Sequence, residues 1–118
     1  MEGSTNSSKP IFNLEYLDGP YGLSECNAEE KAAFADTAFR LSRLTWGEIQ
    51  RAPRHGLGHE TITHHAIRGV KLHTVVTAET TLLAFRFSGH KAMVGFREGR
   101  VFVILYLDRD FTLYNHGG

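Results

Sequence analysis

Five cations fall between positions 86 and 109 of the 118-residue chain: Arg86, Lys91, Arg97, Arg100 and Arg109. Guanidinium and ammonium groups held on strands or tight turns can clamp phosphates, a guanidinium gripping two oxygens at once. Aromatic side chains are interleaved with them. Phe102, Tyr106, Phe111 and Tyr114 offer flat surfaces on which bases stack. Asn115 and His116 follow directly, and an imidazole beside a phenol and several guanidiniums is a set of groups suited to acid–base cleavage of RNA. Any one of these arginines, alternating with apolar neighbours, is adequately explained as the solvated side of a half-buried sheet. The set as a whole points to phosphate chemistry.

The elements that must position these groups lie in residues 82–114, which read as three consecutive strands. Phe85 and Phe87 alternate with Arg86 and Ser88, and Ser88-Gly89-His90 supplies a turn. Ala92, Val94 and Phe96 then alternate with Met93, Gly95 and Arg97 before a second turn at Glu98-Gly99. The third run is apolar on both faces, with Val101, Val103, Leu105 and Leu107 on one and Phe102, Ile104 and Tyr106 on the other. Such a strand belongs inside a sheet that is covered on both sides.

Upstream, residues 1–9 are rich in Ser and Asn with little to bury, so a flexible tail is expected before a single domain spanning 10–118. Residues 11–17 read as a first strand, stopped by Asp18-Gly19-Pro20. Asn27 followed by Glu30 forms a capping box, and Phe34, Ala38, Leu41 and Thr45 recur at helical spacing, widened by Ala35, Phe39 and Leu44. Thr45 and Glu48 repeat the box, so a second short helix begins at once and stops before Pro53. The expected fold is α+β, an antiparallel sheet of about four strands with a two-helix hairpin on one face. Phe34, Leu41 and Leu44 should pack onto Val101, Val103, Leu105 and Leu107. The opposite face should remain open to a ligand, with Arg86, Tyr114 and His116 on it or at its rim.

Residues 54–81 are the least legible stretch. Residues 60–67 suit one or two helical turns, and 72–76 suit another strand. Five histidines crowd here, His55, His59, His64, His65 and His73. Their spacing does not make a zinc site. His59 and His64 are one residue too far apart for the helical His-Glu-x-x-His arrangement, which would put the imidazoles on different faces, and no thiolate is near. No metal and no cofactor are called for. The single cysteine, Cys26, excludes an internal disulfide and points to a reducing compartment. With no apolar run of membrane-spanning length and no signal-peptide pattern, a cytoplasmic protein without a membrane partner is expected. Thirteen basic and thirteen acidic residues give zero formal charge, which argues against a strongly electrostatic nucleic-acid binder.

A strand, a two-helix hairpin and a three-stranded meander closing on a short aromatic segment together resemble the RelE-like family of bacterial toxin endoribonucleases. The resemblance is carried by AFRFSGHKAMVGFREGRVFVILYLDRDFTLYNHG, roughly the last third of the chain, and elsewhere by the order of elements. It implies cleavage of messenger RNA, often on the ribosome, by basic side chains and a terminal Tyr or His, with an antitoxin protein as the neutralising partner. Carried onto this chain, it gives Arg86 the scissile phosphate, makes Lys91 and Arg97 supporting cations, and makes Tyr114 and His116 the terminal acid–base or stacking pair. Arg100 and Arg109 complete the RNA-binding set. The chain departs from the family in its neutrality, in a longer segment between helices and meander, and in its Ser/Asn-rich start. A non-catalytic protein-binding module on the same architecture, of antitoxin-like, immunity or phage-encoded type, is the alternative.

Overall fold

The computed structural model describes residues 5–53 and 58–115. Its sheet contains β1 (Ile11–Asn13), β2 (Glu60–Ile62), β3 (Leu82–Ser88), β4 (Lys91–Glu98) and β5 (Val101–Asp108), in the spatial order β1-β5-β4-β3-β2. β3, β4 and β5 form the expected antiparallel meander. Its two hairpins turn at Gly89 (φ 61°) and Gly99 (φ 62°), left-handed positions that a side chain would strain. β1 joins β5 in parallel, through Ile11↔Val101 and Asn13↔Val103, so the sheet is mixed and five-stranded rather than antiparallel and four-stranded. A parallel neighbour requires a long crossover, and here both helices lie within it.

β2 corrects the helical expectation for its segment. Residues 60–62 pair antiparallel with β3, and only His64–Ala66 makes a turn of 3-10 helix. Three residues are too few for strand alternation to stand out from helical spacing. Residues 72–76 form no strand; the amide of His73 donates to the Tyr106 hydroxyl at 2.9 Å instead. The first strand is also shorter than expected, ending at Asn13.

α1 (Ala28–Leu41) and α2 (Trp46–Arg51) start at the predicted caps. In each, the cap side chain accepts from the backbone three residues on, and the Glu side chain reaches back to the cap amide. α1 buries Glu30, Phe34, Thr37 and Leu41, while Ala35 and Phe39 stay exposed, so the apolar stripe is narrower than the sequence suggested. Residues 5–9, expected to be part of a flexible tail, are docked. The carbonyls of Ser8 and Asn6 accept from the amides of Trp46 and Gly47 at 2.9 and 2.8 Å, satisfying two donors that the start of α2 leaves without helical partners.

Two cores result, one on each side of the sheet. Phe34, Leu41, Trp46 and Ile49 pack with Phe85, Phe87, Met93, Phe102, Ile104 and Leu107. The helices therefore meet the Phe102 and Ile104 face of β5, and of the expected set Val101, Val103, Leu105 and Leu107 only Leu107 joins them. The cause is a bulge. Val94 pairs with Tyr106 and Gly95 with Ile104, so Leu105 has no partner and the alternation slips by one residue beyond it. Val103, Leu105 and Tyr106 enter the second core with Leu82, Ala84, Val94, Leu113 and Tyr114, and Ile67, Val70, Val75 and Val76 pack against it. The sheet face expected to be open is thus covered, by residues 63–81 and by the C-terminal segment.

Candidate functional site

Arg86 lies on that second face. It pairs with Ala92, and Ala92 pairs with Asp108, so the three residues form one row across β3, β4 and β5. At about 4.8 Å per strand, Arg86 and Asp108 flank a single small side chain. Asp108 is fully buried, and its Oδ1 accepts from the amides of Thr112 and Leu113 at 3.0 and 3.1 Å. These bonds fold the C-terminal segment back, helped by Phe111 at φ 61°. The Leu113 carbonyl then accepts from the amides of Arg68 and Gly69, and Thr112 shares a 2.8 Å hydroxyl contact with Tyr21. Tyr114 consequently shares the face of Arg86, but it is only 5% exposed and packs in the core rather than standing at an open rim. His116 lies outside the described residues, as does His55.

Lys91, Arg97, Arg100 and Arg109 are each held by groups of the protein itself. Lys91 donates to Glu30 at 2.6 Å, joining the start of β4 to the first turn of α1. This contact holds the Glu30 carboxyl below the usual range, with the Asn27 amide adding to it, and raises Lys91. Arg97 lies over the Trp46 ring at 4.5 Å and donates to the Gly99 carbonyl, Thr5 and Asn6. Arg100 donates to the Lys9 carbonyl and Arg109 to that of Pro20, the latter also 3.8 Å from Asp110. The structure therefore does not gather the five into one phosphate clamp. Lys91 and Arg97 belong to the helix side of the sheet, and Arg86 to the other.

A separate concavity of about 470 Å³ opens between α2, residues 77–81 and the adjoining ends of β3 and β4. Trp46, His59, Leu83, Phe96 and Arg97 line it, and Glu79 and Glu98 stand among its polar residues. The His59 ring rests 5.5 Å from that of Phe85, its Nδ1 is buried without a hydrogen-bond partner, and burial lowers its pKa. His59 was visible in the sequence only as one of five crowded histidines, and Asp108 only as a strand terminator. What singles them out is their partners, which lie far away along the chain.

No protein-family model matches the chain, and neither a curated protein nor a solved structure does. Among the described residues, no group of three His, Cys, Asp or Glu side chains converges as a metal site. No helix among them is long and apolar enough to cross a membrane.

Proposed function

We propose that the chain is a RelE-like endoribonuclease acting on messenger RNA, with its chemistry on the second face of the sheet. The observation that carries this reading is that Arg86 and the Asp108-anchored C-terminal segment share that face. The order of elements, a strand, two helices, a short edge strand and then the three strands of the meander, lends this reading some support. In the proposed reaction the ribose 2′-oxygen attacks phosphorus and the 5′-oxygen leaves, giving a cyclic phosphate and a 5′-hydroxyl. Arg86 stabilises the charge that grows on the phosphate oxygens, while Tyr114 or His116 moves the proton. Because Tyr114 is buried, access for RNA requires the C-terminal segment to lift from the sheet. The remaining RNA contacts proposed are those of Lys91, Arg97, Arg100 and Arg109, with the ribosome and an antitoxin as partners in the cytoplasm.

One observation favours the second reading, a non-catalytic protein-binding module: those four cations already spend donors on the protein's own groups. Induced expression with primer extension on translated messenger RNA separates the two. Growth arrest and discrete cuts that Arg86→Ala abolishes, while Arg86→Ala still unfolds at a temperature close to wild type, support the nuclease. Neither arrest nor cuts from the wild-type chain gives the binding module its place.

A further inference from the structure

The sheet ends on one side at β1, whose outer edge no other strand pairs with among the described residues. The Ile11 amide donates to the Arg100 carbonyl, so Ile11 and Asn13 turn their backbone groups toward β5, and the alternation turns those of Pro10, Phe12 and Leu14 outward. Among the described residues the Phe12 amide and carbonyl, the Leu14 amide and the Pro10 carbonyl meet no partner. The Leu14 carbonyl is taken, by the Leu17 amide at 3.0 Å. Along the same edge Ile11 is 50% and Leu14 42% exposed, apolar side chains that the fold leaves in water.

A proline beside a short edge strand ordinarily discourages pairing, because a donor is missing. Here the gap is matched. When two copies of this edge meet antiparallel with Phe12 opposite Phe12, Pro10 of one stands opposite Leu14 of the other. The donor that proline lacks then falls on the Leu14 carbonyl, which Leu17 already fills, and the Leu14 amide reaches the open Pro10 carbonyl. The two Phe12 residues exchange both of their bonds. A shift of two residues either way spoils the match, setting the Phe12 carbonyl against a proline or the Phe12 amide against a filled acceptor. Charge agrees with the same arrangement. Lys9 and Glu15, both exposed, stand at opposite ends of the segment, so antiparallel copies bring unlike charges together at each end.

We infer that the β1 edge pairs with the β1 edge of a second copy of this chain, antiparallel about a twofold axis at Phe12, so that the sheet runs on from one protomer into the next. The axis stands perpendicular to the sheet, which leaves the helices of both copies on the same side. Leu14, exposed in the single chain, comes opposite Pro10 of the other copy. The contact is short, and the dimer is accordingly weak and reversible rather than obligate.

Hydrogen exchange read amide by amide at rising protein concentration tests the pairing without altering the chain. From about 50 µM to about 1 mM, the range of a weak contact, sedimentation should show monomer passing reversibly to dimer. Over that range the Phe12 and Leu14 amides should go from fast to slow exchange, whereas the Ile11 amide, bonded within the protomer, should be slow throughout. Leu14→Pro removes an amide that only the dimer uses and should weaken association by at least about tenfold, while Leu14→Ala, which keeps the amide, should weaken it less. The register is read by mixing and oxidising Ile11→Cys and Asn13→Cys, each in a Cys26→Ala chain. Residues 11 and 13 stand directly opposite across the axis, so the mixed disulfide should form well ahead of either symmetric one. A chain that stays monomeric at about 1 mM, a dimer whose Phe12 exchange ignores concentration, undiminished association of Leu14→Pro, or symmetric disulfides that form as fast as the mixed one would each overturn the inference. None of these outcomes bears on RNA cleavage.

Discussion

Gly95 stands where the carbonyl oxygen of Val103 leaves no room for a Cβ, and Ile104 Cα would lie only 2.9 Å away. The bulge of β5 draws the two strands together at this point, so the residue opposite must be glycine. Both obstructing groups are backbone, which a rotamer change cannot move. Gly95→Ala should therefore destabilise the fold by at least about 2 kcal/mol, measured by urea unfolding. A variant as stable as wild type would show that the bulge is not held in this form.

Leu105, the unpaired residue of the bulge, is 1% exposed and lies in the second core. Leu105→Ala should cost about 2 to 5 kcal/mol, as for other buried leucines. A loss well below 1 kcal/mol would place the residue at the surface.

Asp108 holds the C-terminal segment through the amides of Thr112 and Leu113, the second of them buried. Asp108→Ala leaves both without an acceptor and should cost about 2 to 4 kcal/mol, whereas Asp108→Asn keeps an Oδ1 and should lose clearly less. Hydrogen exchange at Thr112 and Leu113 reports the same contacts. Fast exchange in Asp108→Ala with slow exchange in Asp108→Asn is the expected pattern, and equal exchange in the two would refute it.

The Glu30–Lys91 pair gives stability a pH dependence at both ends. Glu30 is shifted down, so the folded chain binds fewer protons there than the unfolded chain. Its contribution is complete above the ordinary value of 4.5 and is lost as pH falls through the lower folded value. Lys91 is shifted up, so its contribution is complete below 10.5 and is lost as pH rises through the higher folded value. Glu30→Gln should flatten the acid limb of a plot of melting temperature against pH and, by removing the partner of Lys91, the alkaline limb as well. Unchanged limbs would count the pair as a surface contact without consequence.

His59 should titrate below the ordinary histidine value of 6.5, because burial penalises its charged form. The folded state then binds fewer protons at this site than the unfolded state, and the associated stability is lost as pH falls below 6.5. An NMR titration of the imidazole checks the direction directly, and a midpoint above 6.5 would reverse it.

The sequence by itself determined what depends on neighbours a few residues apart. The boxes Asn27–Glu30 and Thr45–Glu48 fix the helix starts because cap and partner lie within one turn. Gly89 and Gly99 fix the hairpins of the meander because a two-residue reversal needs a left-handed position. Tertiary structure alone decided which face of β5 meets the helices, since a strand apolar on both sides carries no mark of where its alternation slips. It also decided that β1 runs parallel to β5 and that three residues near position 60 form an edge strand, because pairing between distant segments leaves too little pattern in pieces so short. The candidate site divided in the same way. Arg86 and Tyr114 could be named from residue type, but the burial of Tyr114, the engagement of Lys91 and Arg97, and the exposure of His59 to a cavity each depend on residues tens of positions away. Which groups remain available for chemistry is set by how the chain satisfies its own charges when it folds, and local sequence does not specify that.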